Sequence, residues 1–316
     1  MLARSPTRLP APIMQLYDHI NGLGRDLKQR FGEKVHKLSI NAGLTCPNRD
    51  GTLGRGGCTF CNNASFNAHS QRAPSIREQL ENSKPEMRAK RYLAYFQAYT
   101  NTYAETEALR LQYEEALGVA DMVGLCVGTR PDCVPDSTLD LLADYQQAGY
   151  EVWLELGLQS AFNDTLARIN RGHDFAAYVD AVKRAHARGL KICTHLIVGL
   201  PGERPQDSLI TLERVLDLGC EGLKLHPLHI VKGSIMARQW KKGEIDAIDQ
   251  DAYVETAAEM IRHTPWEVVY HRVTATARKP TLLAPEWCQN RWPAFNAIAA
   301  RLVRDGGQGS ALGIGY

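Results

Sequence analysis

A chain of 316 residues, 44% hydrophobic and 23% charged, can form one large domain with a full core or two modest ones. A formal net charge of +2 calls for no polyanionic partner, and eight cysteines are too few for a secreted disulfide scaffold. No stretch approaches 18 uninterrupted apolar residues, and the first residues, MLARSPTRLPAPIMQLYD, hold no apolar core of a secretory signal. The expected setting is a reducing cytoplasm, with no membrane partner. Seven bases against three acids in residues 1–40 fit either a basic rim or an ordinary solvated face.

Residues 1–14 read as a flexible lead-in with three prolines. From there apolar runs alternate with helical patterns. Residues 35–41 (VHKLSIN) predict a strand, 75–90 a helix, 91–99 (RYLAYFQAY) a buried strand and 105–117 a helix. Residues 122–129 (MVGLCVGT) predict a strand, followed by a helix that Gly149 closes, and 152–158 (VWLELGL) a further strand. Helices are expected over 163–169 and 175–187, a strand over 190–200 that breaks at Pro201-Gly202, a helix from 205 to 219 and a strand over 221–230. Residues 266–273 (WEVVYHRV) fit a seventh strand or an edge element, and 294–304 a helix. Near-continuous apolar strands separated by helices predict a parallel sheet. Six such units give an α/β fold, a partial TIM-like (β/α)6 barrel over residues 35–275. Extensions are expected over 1–34 and 276–316, the latter packing on the barrel. In such folds the C-terminal ends of the strands form the active face.

Cys46, Cys58 and Cys61 follow the first strand as C-x11-C-x2-C in a glycine-rich loop. Inert buried cysteine fits poorly among glycines and polar residues. Structural zinc wants four ligands, and the nearest extra candidate is His69. That reading gives a zinc-stabilised nucleic-acid-binding protein without radical chemistry. The third reading is an iron–sulfur cluster, which takes thiolate ligands; three on a four-iron cluster leave one iron open to a ligand. The other five cysteines show no cluster spacing.

The motifs INAGLTCPNRDGTLGRGGCTFCN (40–62), FQAYTNTYA (96–104), GTRPDCVPD (128–136), LELGLQS (154–160), THLIVGLPGE (194–203), LKLHPL (223–228) and LLAPEWC (282–288) occur in this order. Together they resemble the radical S-adenosylmethionine (SAM) superfamily, in particular the YhcC/YtqA-type family, related to the radical SAM domain of the Elongator catalytic subunit. The resemblance spans about residues 15–305. The first cysteine gap is longer than the common C-x3-C-x2-C, as in the Elongator branch, and Phe60 holds the aromatic place before the last cysteine.

This resemblance implies a [4Fe–4S] cluster on Cys46, Cys58 and Cys61. SAM would be chelated at the open iron and cleaved by one electron to a 5′-deoxyadenosyl radical that abstracts hydrogen. It implies Phe60 against adenine, and Glu155 on the ribose hydroxyls or the amino group of SAM. The usual glycine-rich acidic motif after the second strand is absent. Gln97, Thr100 and Asn101 offer amides and hydroxyls there instead. Arg130 is a candidate for a carboxylate, either that of SAM or Asp132; Gln159 sits at the mouth of the fourth strand. His195 and His226 are candidates for facing substrate. The resemblance further implies an electron donor such as flavodoxin or ferredoxin, and a tRNA substrate modified at the 5-position of a wobble uridine.

Overall fold

A computed structural model describes residues 15–62, 74–86 and 89–313. The expected strands form: β1 (Val35–Ile40), β2 (Arg91–Phe96), β3 (Met122–Thr129), β4 (Glu151–Gln159), β5 (Lys191–Val198) and β6 (Gly222–Pro227). Short β7 (Ile230–Val231), β8 (Val269–Arg272) and β9 (Leu282–Ala284) follow. One curled parallel sheet runs β1-β2-β3-β4-β5-β6-β8, a half-barrel; β7 and β9 pair antiparallel beside it. The half-barrel thus has seven strands rather than six, because residues 266–273 supply β8, paired parallel to β6. The predicted strand at 221–230 splits after Pro227: its last residues leave the main sheet for β7.

The strands are buried on both faces, which explains their near-continuous apolar runs. Leu125, Leu154, Leu156 and Leu223 belong to the core beneath the outer helices. On the inner side Leu93, Tyr95, Cys126, Trp153, Cys193 and Val269 meet Leu23 and Leu27. These two leucines come from a helix, Leu23–Phe31, in the stretch expected as an N-terminal extension. It plugs the N-terminal end of the barrel, and each buried leucine contributes roughly 1.5–3 kcal/mol. The predicted helix at 75–90 ends earlier, at Ser83, and gives way to a 3-10 turn containing Pro85.

β1 and β8 are the sheet's two edges and do not pair with each other. The gap is spanned by Lys37 Nζ, 2.8 Å from His271 Nδ1, and an isolated bridge between Gly22 and Tyr270 lays the N-terminal segment on β8. Tyr270 N–H donates to Asn21 O at 2.8 Å, and Asn21 N–H donates to Gln308 Oε1 at 2.8 Å. The edge of β8 is covered in this way by the N-terminal segment and the C-terminal tail. The last helix, Arg291–Asp305, packs on the helix Gln250–Arg262.

Candidate functional site

A cavity of about 270 Å³ opens at the C-terminal ends of the strands. Cys46, Cys58 and Cys61 line one end of it. The loop that carries them follows β1, and Gly57 (φ +80°) takes a turn that an L side chain would strain. Asn48, at the end of the first cysteine turn, donates from Nδ2 to Asn170 O at 2.6 Å and lies 3.8 Å from Cys58 Sγ. Arg171 Nη1 donates to Cys58 Sγ at 3.3 Å, and Arg49 Nη1 to Cys61 Sγ at 3.5 Å. Burial, together with the neighbouring Cys58, pushes the Cys61 thiol up to about 11, against the pull of Arg49.

The three sulfurs do not gather within 4.8 Å of one another; among the described residues the group that does is Glu155, Cys193 and His271. Thiolates on one tetrahedral zinc would sit closer, since Zn–S bonds are about 2.3 Å. As placed, the three thiols are not gathered around one shared ion. His69, the extra zinc candidate, lies outside the described residues.

Around this end the expected residues fall into two groups. Phe60, Gln97, Thr100, Arg130, Glu155, Gln159, His195 and His226 all line the cavity. Phe60 also leans on the apolar cluster of Leu166, Ile169, Leu200, Leu228 and Met236, forming a flat hydrophobic wall. Thr100 N–H donates to Thr45 O at 3.2 Å, tying the end of β2 to the cysteine loop. Gln159 holds φ +78°, where the register of β4 against β5 shifts, and Tyr99, opposite, holds φ +68°. Strained backbone at two cavity-lining positions is held by the surrounding fold.

Asn101 departs from expectation. It is fully buried behind the wall, and its Nδ2 donates to Phe96 O at 3.0 Å and Gly128 O at 2.8 Å. It clamps β2 to β3 and is not among the lining residues. Arg130 is 2% exposed; its Nε and Nη2 donate to Asp132 at 2.9 and 2.7 Å. Its third nitrogen, Nη1, is buried without a partner.

The floor of the cavity is a charged cluster centred on Glu155, which is 0% exposed. Lys37 and Lys224 both pair with its carboxylate, Lys224 at 3.0 Å. His195 Nε2 lies 2.7 Å and His271 Nδ1 3.4 Å from its oxygens. Burial favours the protonated acid, but Lys224 and Lys37 outweigh it and hold the carboxyl well below its ordinary range. Both oxygens are therefore engaged by this chain's own side chains. Lys224 also donates to Tyr95 Oη at 2.6 Å, and burial brings its ammonium down to about 8 despite Glu155. Two ammonium groups on one carboxylate leave no place there for a metal cation. Burial, then Lys224, brings His195 to about 4, and burial, then Arg272, holds His226 well below the ordinary value.

Sequence reasoning did not single out Lys37, Lys224, His271, Tyr95, Arg49, Asn48 or Arg171. The lysines had a signal: each is a lone charge inside an apolar strand run, VHKLSI and GLKLHP.

Residues 45–215 match the sequence profile of the Radical SAM superfamily, and residues 220–304 match that of the Radical_SAM C-terminal domain. Protein YhcC of Escherichia coli (strain K12) is 60% identical over 301 residues, 95% of this chain and 97% of that protein. YtqA of Bacillus subtilis (strain 168) is 38% identical over 302 residues, 94% of each chain. The fold is shared with the archaeal Methanocaldococcus infernus Elp3 lacking residues 1–46 (TM-score 0.62, 18% identity). That match covers 87% of this chain and 64% of that one, under two thirds of it.

Proposed function

Because this chain belongs to the radical SAM superfamily, whose cofactors are a [4Fe–4S] cluster and SAM, we propose that Cys46, Cys58 and Cys61 hold the cluster and that SAM lies in the adjoining cavity. When bound, these cofactors supply the one-electron cleavage that yields a 5′-deoxyadenosyl radical, which abstracts hydrogen from a substrate. The observation that carries the reading is the cysteine end itself: three thiols lining one end of the cavity, two of them facing arginine donors. Hydrogen bonds to sulfur stabilise thiolate and tune a cluster's potential. The unpartnered Nη1 of Arg130 supports a bound carboxylate, that of SAM, at this end. Phe60 offers an apolar face for adenine, and Gln97, Thr100 and Gln159 offer polar groups from the strand ends.

The proposed substrate is tRNA, at the 5-position of a wobble uridine, and the proposed electron donor is a flavodoxin or ferredoxin. The support for both is the motif resemblance to the Elongator branch, a weaker warrant than the site geometry. The test is anaerobic: reconstitution with iron and sulfide, reduction with dithionite, addition of SAM and chromatography for 5′-deoxyadenosine. Product that is lost in Cys58→Ala supports radical initiation. A colourless protein that forms none sinks it. Uridine modification in added tRNA, absent without SAM, tests the substrate.

A further inference from the structure

The cations at the cysteine end of the cavity are each engaged within the chain: Arg49 on Cys61, Arg171 on Cys58 and the Gly157 carbonyl, Arg130 on Asp132. The wall formed by β6 and β8 is different. Arg272 stands in register with Lys224 on the neighbouring strand and is partly buried. No described residue hydrogen-bonds or ion-pairs with its guanidinium. Its charge is felt across the wall: after burial it is a cause of the lowered basicity of Lys224, His226 and His229. His226 makes no hydrogen bond to a described residue, and His229 Nε2 is buried without a partner; both line the cavity. Glu155 is the one carboxylate among the described lining residues, and Lys37, Lys224 and His195 already share it.

We propose that Lys224, Arg272, His226 and His229 form an anion-binding subsite for a phosphate or carboxylate group of the molecule on which the enzyme acts. This deepens the radical SAM reading and rests on it. Arg272 is not itself a lining residue of the cavity, but its partly buried, unpaired guanidinium stands beside Lys224, which lines it. Such a cation is costly until an anion joins it, and a guanidinium fork matches the oxygens of phosphate or carboxylate. Neutral imidazoles beside it add N–H donors without adding charge. The carboxylate of SAM is a less suitable occupant, because the free Arg130 nitrogen already serves the cysteine end.

The test is isothermal titration calorimetry of the anaerobically reconstituted protein at fixed ionic strength, with inorganic phosphate, with acetate and, separately, with SAM. Saturable binding of one anion per chain is expected, with the stronger of the two probes naming the group. Arg272→Gln should weaken it at least tenfold and Arg272→Lys should recover part of the loss, while SAM affinity changes less than twofold. No saturable binding of either anion by the unmodified protein, or equal binding by Arg272→Gln, overturns the proposal. So does a fall in SAM affinity that parallels the anion's, since the wall would then hold the carboxylate of SAM. The titration reads no turnover. Failure of the radical reading would show instead as absence of 5′-deoxyadenosine from the unmodified protein.

Discussion

Arg171 ties Cys58 to the sheet. Its Nε donates to the Gly157 carbonyl at 3.1 Å while Nη1 reaches Cys58 Sγ at 3.3 Å, so one planar group fixes a thiol relative to β4. Gly157 is needed for this: a Cβ there would lie 2.8 Å from Arg171 Nη2. Arg171→Met should lower cluster affinity about 10–100-fold, the usual cost of losing an outer partner of a metal ligand. Iron content and visible absorption after desalting would measure it. Retention equal to the unmodified protein would remove Arg171 from the cluster's support.

Cys46→Ala, Cys58→Ala and Cys61→Ala should each abolish the cluster and 5′-deoxyadenosine formation while leaving the far-ultraviolet circular dichroism unchanged. The three side chains sit on a loop at the strand ends, outside the main hydrophobic core. Full turnover in any one variant would contradict the ligand assignment.

Glu155→Gln should destabilise the fold by about 3–5 kcal/mol, because it leaves the buried Lys224 ammonium and the partly buried Lys37 ammonium with no counter-charge. Adding Lys224→Met should recover part of that loss. Urea unfolding of the single and double variants gives both numbers, and strictly additive losses would mean that the pair is not coupled.

Asn101→Ala should cost about 1–3 kcal/mol, since the buried carbonyls of Phe96 and Gly128 lose the side-chain amide, and Gly128 keeps the backbone N–H of residue 101. SAM affinity should stay within twofold. A large fall in SAM affinity with little loss of stability would return Asn101 to the binding site.

Acid should weaken the cluster-free protein. Unfolded histidine titrates near 6.5, whereas in the fold His195 and His229 lie at about 4 and His271 at about 3. Below pH 6.5 the unfolded chain takes up protons that the fold refuses, so stability is full above that value and falls toward pH 4. Glu155 acts in the same direction. Its folded value is depressed, and its contribution is lost as pH falls through that value. Each refused proton is worth about 1.4 kcal/mol per pH unit. Urea midpoints at pH 7.5, 6 and 5 should decline steadily; a flat series would mean that these imidazoles take up protons in the fold as readily as in the unfolded chain.

The strands and the cysteine loop were legible because each carries its signal locally. A parallel strand buried on both faces reads as an apolar run, and three thiols at fixed offsets read as ligands. The Glu155 cluster was half legible. A carboxylate inside VWLELGL demands a partner, but Lys37 is 118 residues away and Lys224 lies 69 residues on. Pairing them needs the curl of the sheet, which no local pattern encodes. Arg171 is harder still, since it comes from the turn after the helix Asn163–Arg168 and looks like ordinary loop sequence, while Asn48, inside the cysteine loop, finds its partner, Asn170, 122 residues away. Asn101 misled because a polar residue at a strand mouth fits a ligand and a backbone clamp equally well.

The seam between β1 and β8 has a mechanical meaning. Elsewhere around the half-barrel, neighbouring strands are laced by backbone ladders, some with a register shift, and parting them would break backbone pairs in series. At the seam the contacts are between side chains, Lys37 to His271 and both to Glu155, while the N-terminal segment at Gly22 bridges to β8. The protein is built like a cuff with a clasp at one rim. Its two edges meet through side chains and the covering segments, so the circumference is closed without a β1–β8 ladder.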